Sequence, residues 1–547
     1  MIEPFVQSGP ALENLYTSDW LLVGFLRRKL PPELMTAIEA ECAALGAEAA
    51  GPLASLQRAD RLNEPVLTQW DAWGRRIDRI ELSPLWRVAE RRAVHYGLTA
   101  IPYERREAEW SRLRQFALVY LFHPVTDVYS CPLAMTDGAA RALIDSGNRK
   151  LAAQAVPHLT SRDPDQFWTS GQWMTESSGG SDVGRSETVA MLGADGHWRL
   201  HGKKWFTSAA TSQMALTLAR PLGNGPGGQG LAMYYVECRD QAGQLNGIRV
   251  ERLKDKLGTR KVPTAELLLD GTRAELVAGT TGGTRAIEPM LGITRTWNSV
   301  CAASFMRHAC RLAADYAQRR FAFGAPLAAL PLHRETLMDI AAESAAAFLL
   351  TFQLVELLGR AEAGVATDED ALLLRLMTPL TKLTTGKQAV HTVSEAIEAF
   401  GGAGYVEDTG LPVLLRDTQV LPIWEGTTNV LSLDLLLRAD VAQGLAALER
   451  WVRTAGAAAR SAGLGEPADA AQEALAAASR WLLAHRDPET RQAGARRFAL
   501  TLGRATQLML LAEHATALPV GPERARVAEL AHRFRRSGIN LLNDGLS

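Results

Sequence analysis

A chain of 547 residues exceeds what one ordinary hydrophobic core organises, so several packed units are expected. Apolar residues make up 47% and charged residues 22%, the balance of a folded globular protein, while a formal net charge of -1 gives the whole molecule no electrostatic pull toward nucleic acid or an anionic membrane. Its five cysteines (Cys42, Cys131, Cys238, Cys301 and Cys310) form no C-x-x-C pair and no His/Cys ligand spacing, which argues against a disulfide framework or a zinc site and fits a reducing, cytoplasmic setting.

The amino-terminal MIEPFVQSGPALENLYTSDW carries acids and has neither a basic region nor a long apolar one, so no secretory signal is expected. Residues 1–170 are mostly helical in pattern. Leu82 to Tyr96 repeats near 3.6 residues, and AEWSRLRQFALVYLFHP at 108–124 ends at a helix-stopping proline. From 171 to 283 the texture becomes short alternating runs, namely ETVAML, HWRLHGKKWFTSA, MALTLARP, GLAMYYVEC, IRVERL and AELLLDG. Period two with aromatic and β-branched residues predicts a small β-barrel or sandwich, and the glycine- and proline-rich PLGNGPGGQG a loop within it. Residues 284–440 return to long apolar helices at 290–321, 331–360, 369–400 and 425–438, expected as an antiparallel bundle. The most apolar run, AAESAAAFLLTFQLVELLG at 341–359, is interrupted by glutamates and reads as a buried helix rather than a membrane span. A helical extension, 441–547, completes an α+β chain.

Four segments carry chemistry. In 174-MTESSGGSDVG-184, hydroxyls and glycines could form a nest for a phosphate or a ring edge, or simply an exposed turn. In 203-KKWFTSAA-210, Trp205 could shield a ring cofactor and Thr207 bond a ring nitrogen, although a barrel core needs aromatics anyway. In 316-YAQRRFAFG-324, Arg320 leaves the end of a long helix, where a guanidinium could clamp a pyrophosphate or simply be solvated. The fourth, 401-GGAGYVEDTGLPVLLRDTQVLPIWEGTTNV-430, places Glu425 between an apolar run and Gly426-Thr427-Thr428. Those hydroxyls can cap a helix beginning near Asn429. A carboxylate bordered by Ile423 and Trp424 would be partly desolvated and thus a better proton acceptor. The alternative is a surface glutamate in a helix's first turn. With no G-x-G-x-x-G after a strand and no P-loop, a dinucleotide would need another kind of site.

These motifs resemble those of the acyl-CoA dehydrogenases. The segment 174-MTESSGGSD-182 is similar to the family's T-E-x-x-x-G-S-D, 203-KKWFTS-208 to K-x-W-I-T and 320-RFAFG-324 to R-x-x-F-G. The stretch from GGAGY to RDTQVLPIWEGTTN matches the carboxy-terminal signature almost in full. The resemblance implies an acyl-CoA dehydrogenase-like fold: a helical domain over 1–170, a middle β-domain over 171–283, a four-helix bundle over 284–440 and an extra helical domain over 441–547. It also implies FAD as cofactor and no metal. Met174, Thr175, Gly180, Ser181, Trp205, Thr207 and Thr427 would hold the flavin. Arg320 and Phe323 would contact the adenine side of FAD bound mainly by a neighbouring subunit, and Gly401 and Gly402 would receive the pyrophosphate. Ser181, Arg295, Glu425 and Gly426 would face an acyl-CoA substrate. Glu425 would remove the α-proton and the β-hydride would pass to flavin N5, giving a 2-enoyl-CoA. The Glu425 N–H and a ribityl hydroxyl would steady the thioester carbonyl. An electron-transfer flavoprotein would be the acceptor and a homotetramer the assembly.

Within the family, CPLAMTDGA at 131–139, RVERLKDKLGTRKVPTAEL at 249–267, GITR at 292–295 and FAFGAPLAALPLHR at 321–334 resemble the AidB-like branch most. That branch implies an alternative, a flavoprotein that binds double-stranded DNA with vestigial dehydrogenase activity. Residues 441–547 hold fourteen arginines, no lysine and ten acids. Arg496, Arg497, Arg533, Arg535 and Arg536 could touch phosphates there, and an i,i+4 pair such as Glu529 and Arg533 would absorb part of that charge. The chain departs from the simple dehydrogenases at Glu398, which stands just before the glycine pair, and at Pro331-Leu332-His333, where a glutamine is expected.

Overall fold

The computed structural model describes residues 5–437 and 441–542. The described residues form two compact units, one made of those within 1–54, 105–124 and 298–547, the other of 55–104 and 125–297.

The first unit is helical. Its long helices are the part of Glu288–Arg319 beyond 297, then Pro331–Ala363 and Asp368–Glu398. Each boundary has a local cause. Pro331 opens the second helix, where a missing N–H is harmless, and Gly364 ends it in the left-handed conformation with φ 74°. A capping box between Thr367 and Asp370 opens the third, with Asp368, Glu369 and Asp370 favouring the positive end of its dipole. Pro331–Ala363 is long and apolar enough to cross a membrane, yet 78% of its most apolar window is buried inside the protein, as the glutamate-interrupted pattern predicts. The helix Trp20–Lys29 is pinned through its N-cap, Asp19, whose carboxylate is buried against the Arg307 guanidinium at 2.8 Å. Burial alone would raise Asp19; Arg307 and Arg311 outweigh it and hold the carboxyl below its ordinary range.

The carboxy-terminal helices Val441–Ser461, Gly465–Ala484, Pro488–Ala517 and Pro522–Arg536 belong to the same unit. The Gln388 and Gln507 amides exchange hydrogen bonds at 3.0 and 2.7 Å, and Gly503 lies so close to Thr384 that a Cβ there would clash with its hydroxyl. The boundary expected at 440 lies outside the described residues.

The second unit is built on β-strands. The helices Pro84–His95, Ser130–Asp145 and Arg149–Leu159 accompany β1 (Val66–Trp70), β2 (Arg76–Glu81), β3 (Ser170–Trp173), β4 (Val189–Leu192), β5 (Trp198–Thr207), β6 (Met214–Pro221), β7 (Ala232–Glu237), β8 (Ile248–Leu253) and β9 (Ala265–Leu276). Seven strands run in the order β3-β6-β4-β5-β9-β7, with β8 on β9, and β7 also pairs with β6, so the sheet closes on itself. Buried residues of these strands, among them Trp173, Leu200, Ala215, Tyr234, Val250 and Leu267, form one hydrophobic cluster. The alternation read in the sequence fails along β6, which is buried on both faces for most of its length.

The antiparallel hairpin β1–β2 stands in a region expected to be mostly helical. Its side chains cover the edge of β8: Asp78 accepts the Val250 N–H at 3.0 Å, and Arg76 and Gln69 donate to the Val250 carbonyl at 3.0 and 2.9 Å. A free strand edge is thereby satisfied by side chains rather than by another strand.

Candidate active site

The expected site residues divide over the two units. Met174, Thr175, Gly180, Ser181, Trp205, Thr207 and Arg295 belong to the β-containing unit. Arg320, Phe323, Gly401, Gly402, Glu425, Gly426 and Thr427 belong to the helical one.

In the β-containing unit two of the motifs are joined. The Trp205 N–H donates to the Thr175 carbonyl at 2.9 Å. One residue along each segment, the buried Lys204 ammonium meets the buried Glu176 carboxylate at 2.7 Å and also donates to the Leu218 carbonyl at 2.8 Å. Glu176 further accepts from the Thr188 hydroxyl at 2.6 Å and the Glu187 N–H at 2.6 Å, so its carboxylate closes the turn that carries Gly180 and Ser181. Burial would raise the Glu176 carboxyl, but Lys204 and these hydrogen bonds outweigh it and hold it below the ordinary value; burial pushes the Lys204 ammonium down. Gly180 fits because a Cβ there would meet the Thr175 Oγ1 at 2.8 Å.

Around this frame, Met174, Thr175 and Trp205 are half-buried, whereas Gly180 and Ser181 are exposed. Trp205 carries the Lys254 ammonium 3.4 Å from its ring centroid, a cation–π contact steadied by Glu266 at 2.5 Å from Lys254. Thr207 is buried and its hydroxyl donates to the Ala265 carbonyl at 2.5 Å. With its proton committed, that oxygen offers a partner only lone pairs. The neighbouring Gln172 Oε1 is buried and lacks a hydrogen-bond partner among the described residues. Arg295 is half-buried on the helix Glu288–Arg319. A separate cavity of about 350 Å³ in this unit is lined by Trp86, Arg87, Glu90, Arg91, Tyr129 and Gln213, among others, and includes none of the predicted site residues.

In the helical unit Glu425 is not a first-turn residue. It precedes the helix Thr428–Leu437 in a left-handed conformation, φ 58°, followed by Gly426 at φ 101°. Such a φ is uncommon for a residue with a side chain and persists only where its surroundings over-determine it. Gly426 is required twice over, by φ and because a Cβ would meet the Leu431 Cδ2 at 2.8 Å. Thr427 supplies the expected cap: its hydroxyl accepts the Val430 N–H at 3.4 Å and its carbonyl the Leu431 N–H at 2.9 Å. Glu425 is half-buried, Trp424 is half-buried and Ile423 is exposed, so the apolar shielding comes from one side only.

Two residues that sequence reasoning missed hold this turn. The buried Asn298 donates to the Leu421 carbonyl at 3.2 Å and accepts the Trp424 indole N–H. The buried Lys382 donates to the Gly426 carbonyl at 2.6 Å. The available signal was a lone lysine in the apolar stretch LMTPLTKLTT, a charge that the bundle buries.

Gly401, at φ 60°, and Gly402 form an exposed tight turn with open space at both Cβ positions. Glu398 is exposed at the end of its helix. Arg320 lies within 3.3 Å of the Gln7 side chain and above the Phe5 ring. Phe323 is 96% exposed at φ 53° on the tip of a two-residue hairpin, with Phe321 and Tyr405 also largely exposed. His333 keeps a buried Nε2 without a hydrogen-bond partner among the described residues, and burial lowers its pKa. In the carboxy-terminal block Arg533 is 10% exposed and paired with Glu335, Asp339 and Glu529, while Arg535 pairs with Glu466. Arg496 lies 3.4 Å from the Asn429 side chain; Arg497 and Arg536 are exposed.

Comparison with known proteins matches three family domains along the chain. They are the adaptive response protein AidB N-terminal domain over residues 9–166, the acyl-CoA dehydrogenase middle domain over 171–272 and the acyl-CoA dehydrogenase C-terminal domain over 281–440. Acyl-CoA dehydrogenase family member 11 of Caenorhabditis elegans is 46% identical over 441 residues, 79% of this chain and 72% of that protein. The AidB protein of Escherichia coli strain K12 is 33% identical over 389 residues, 70% of each chain. A crystal structure of Caenorhabditis elegans ACDH-11 in complex with C11-CoA matches with a TM-score of 0.94 at 40% identity, covering 100% of this chain and 94% of that one. The expected AidB-like placement is thereby corrected to a coarser one, since the worm protein shares more of this sequence than AidB does. Three family domains in order, and relatives at this identity over most of both chains, make the chain a member of the acyl-CoA dehydrogenase family.

Proposed function

We propose that this protein is an FAD-dependent acyl-CoA dehydrogenase that converts a saturated acyl-CoA to its 2-enoyl-CoA, with Glu425 as the base. The observation that carries this reading is the Glu425–Gly426 turn: a carboxylate on a strained backbone, gripped on both sides by the buried Asn298 and Lys382. A carboxylate on such a backbone, next to contacts from two buried polar side chains, is a candidate for a reacting group. The neighbour bound to C11-CoA supports an acyl thioester of medium length as the substrate class.

The residues of the β-containing unit suit a flavin. Gln172 Oε1 is a buried acceptor in want of an N–H, Thr207 Oγ1 presents lone pairs, and Trp205 is a half-buried aromatic with Lys254 over one face of its ring. FAD, when bound, supplies the hydride acceptor at its N5. Met174, Thr175, Gly180, Ser181, Trp205, Thr207 and Thr427 would hold it, and Gly401 and Gly402 would leave room for its pyrophosphate. Ser181 would lie near the substrate's phosphate-bearing arm, and Arg295 would lie near the substrate cavity. Glu425 accepts the α-proton, and its own N–H helps to steady the negative charge that develops on the thioester oxygen.

Exposed Phe321, Phe323 and Tyr405 are large apolar groups on the helical unit, and a homotetramer in which a neighbouring subunit covers them accounts for their exposure. Arg320 and Phe323 would then meet the adenine side of the neighbour's FAD. An electron-transfer flavoprotein would reoxidise the enzyme, in the cytoplasm.

The test mixes FAD-loaded protein anaerobically with saturated acyl-CoAs of about four to twenty carbons and follows flavin absorbance near 450 nm. Bleaching at some chain length, lost in Glu425→Gln, is the expected result. Bleaching by dithionite but by no thioester would overturn the reading.

A further inference from the structure

Lys382 lies fully buried in the middle of the helix Asp368–Glu398, where Leu380, Thr381, Leu383 and Thr384 are buried as well. Removing an ammonium from water is costly unless firm partners replace the lost hydration. Among its partners is the Gly426 carbonyl, to which the ammonium donates at 2.6 Å. The next residue back is Glu425, and the two share a left-handed stretch with φ of 58° and 101°. A peptide group is planar, so an anchor on the Gly426 carbonyl fixes the plane linking Gly426 to Thr427. On the other side, Asn298 holds the Leu421 carbonyl and the Trp424 indole. Glu425 is thus bracketed, with the Lys382 contact on the residue after it and the Asn298 contacts on Leu421 and Trp424 before it.

We propose that Lys382 is a positioning residue for proton abstraction, acting through the Gly426 carbonyl to aim the Glu425 carboxylate. The proposal rests on the reading of Glu425 as the base. A misplacement of about 1 Å at a reacting group can slow a reaction roughly 100-fold while leaving binding nearly untouched. A lysine that merely filled space or stabilised the bundle would change stability and leave the chemical step alone.

The experiment compares wild type, Lys382→Met, Lys382→Arg and Glu425→Gln, all FAD-loaded. Met keeps the volume and loses the donor, whereas Arg keeps a donor. Anaerobic flavin reduction by a saturated acyl-CoA is timed, the affinity for the product enoyl-CoA is measured, and the isotope effect of an α-deuterated thioester is recorded. The expected result for Lys382→Met is flavin reduction about 10- to 100-fold slower, enoyl-CoA affinity within about 3-fold of wild type, and a larger isotope effect. Lys382→Arg recovers part of the rate. Amide hydrogen exchange of a peptide covering residues 421–431 is also expected to rise in Lys382→Met, with no rise in the flanking part of Asp368–Glu398. This readout does not require turnover, so it tests the grip of Lys382 even if wild type proves inactive toward thioesters, the outcome that would sink the base reading instead. Unchanged reduction kinetics in Lys382→Met, a parallel loss of rate and affinity, or unchanged exchange over 421–431 would each overturn the proposal. If Lys382→Met does not fold, Lys382→Gln is read by the same criteria, and failure of both to fold would assign Lys382 to the scaffold alone.

Discussion

Glu176 and Lys204 meet at 2.7 Å inside the β-containing unit, each almost wholly out of water. They sit beside Thr175 and Trp205, whose backbones are themselves hydrogen-bonded, so one buried ion pair sets the spacing of two motifs far apart in sequence. Removing one partner of such a pair strands the other charge. Lys204→Met is therefore expected to destabilise this unit by about 3–5 kcal/mol, and Lys204→Met with Glu176→Gln to recover a good part of it. Denaturant unfolding of wild type, Lys204→Met, Glu176→Gln and the double variant checks the expected non-additivity.

The same pair gives stability an acid limb. The folded Glu176 value lies below the ordinary glutamate value of 4.5, so its contribution is complete above that value and is lost as pH falls through the depressed folded value. Wild type should therefore lose its advantage over Glu176→Gln on acidification below about pH 4.5. A gap between their unfolding midpoints that stayed constant down to the acid transition would contradict this assignment.

Thr207 already spends its proton on the Ala265 carbonyl. Thr207→Val should lose that bond, about 1 kcal/mol of stability, together with the lone pairs proposed to face the flavin. The expected outcome is a lower flavin-to-protein ratio after gel filtration and a shifted flavin absorption band, with Thr207→Ser close to wild type. Equal flavin retention and an unshifted band in Thr207→Val would remove Thr207 from the proposed cofactor site.

Most of the fold was legible because its elements announce themselves locally. The strand runs at 189–192, 198–207, 214–221 and 232–237 alternate or are enriched in β-formers, and the long helices carry caps such as Thr367 and stops such as Gly364. The hairpin at 66–81 was not, because its alternation is weak: Val66, Leu67, Trp70, Ile77 and Ile80 are interleaved with charges, and its partner is the side-chain-lined edge of a strand much later in the chain. The candidate base was legible from the EGTT motif, but its left-handed backbone was not, since the contacts that flank it come from Asn298 and Lys382 on other helices. Nor does sequence distinguish an arginine free to meet phosphate from one engaged in ion pairs.

Arg533 illustrates that last point. Its guanidinium faces Glu335, Asp339 and Glu529, all of them substantially exposed. Arg533→Ala should lower stability by no more than about 1 kcal/mol, with the difference shrinking as salt is added. A duplex-DNA shift assay at low salt should show no loss of affinity on this substitution. A marked loss there would return Arg533 to a phosphate-binding role and favour the DNA-associated alternative.

The way β8 ends the sheet has a consequence for how the molecule behaves among its own copies. A strand with open N–H and C=O groups is a template for another chain, and here the template is occupied by Asp78, Arg76 and Gln69 reaching from the hairpin. The hairpin thus serves as a guard against intermolecular sheet growth, and it does so through only a few polar groups. Any change that lifted it away, whether a nick in the 71–75 turn or loss of the Asp78 carboxylate, would leave a folded protein newly prone to stick to itself.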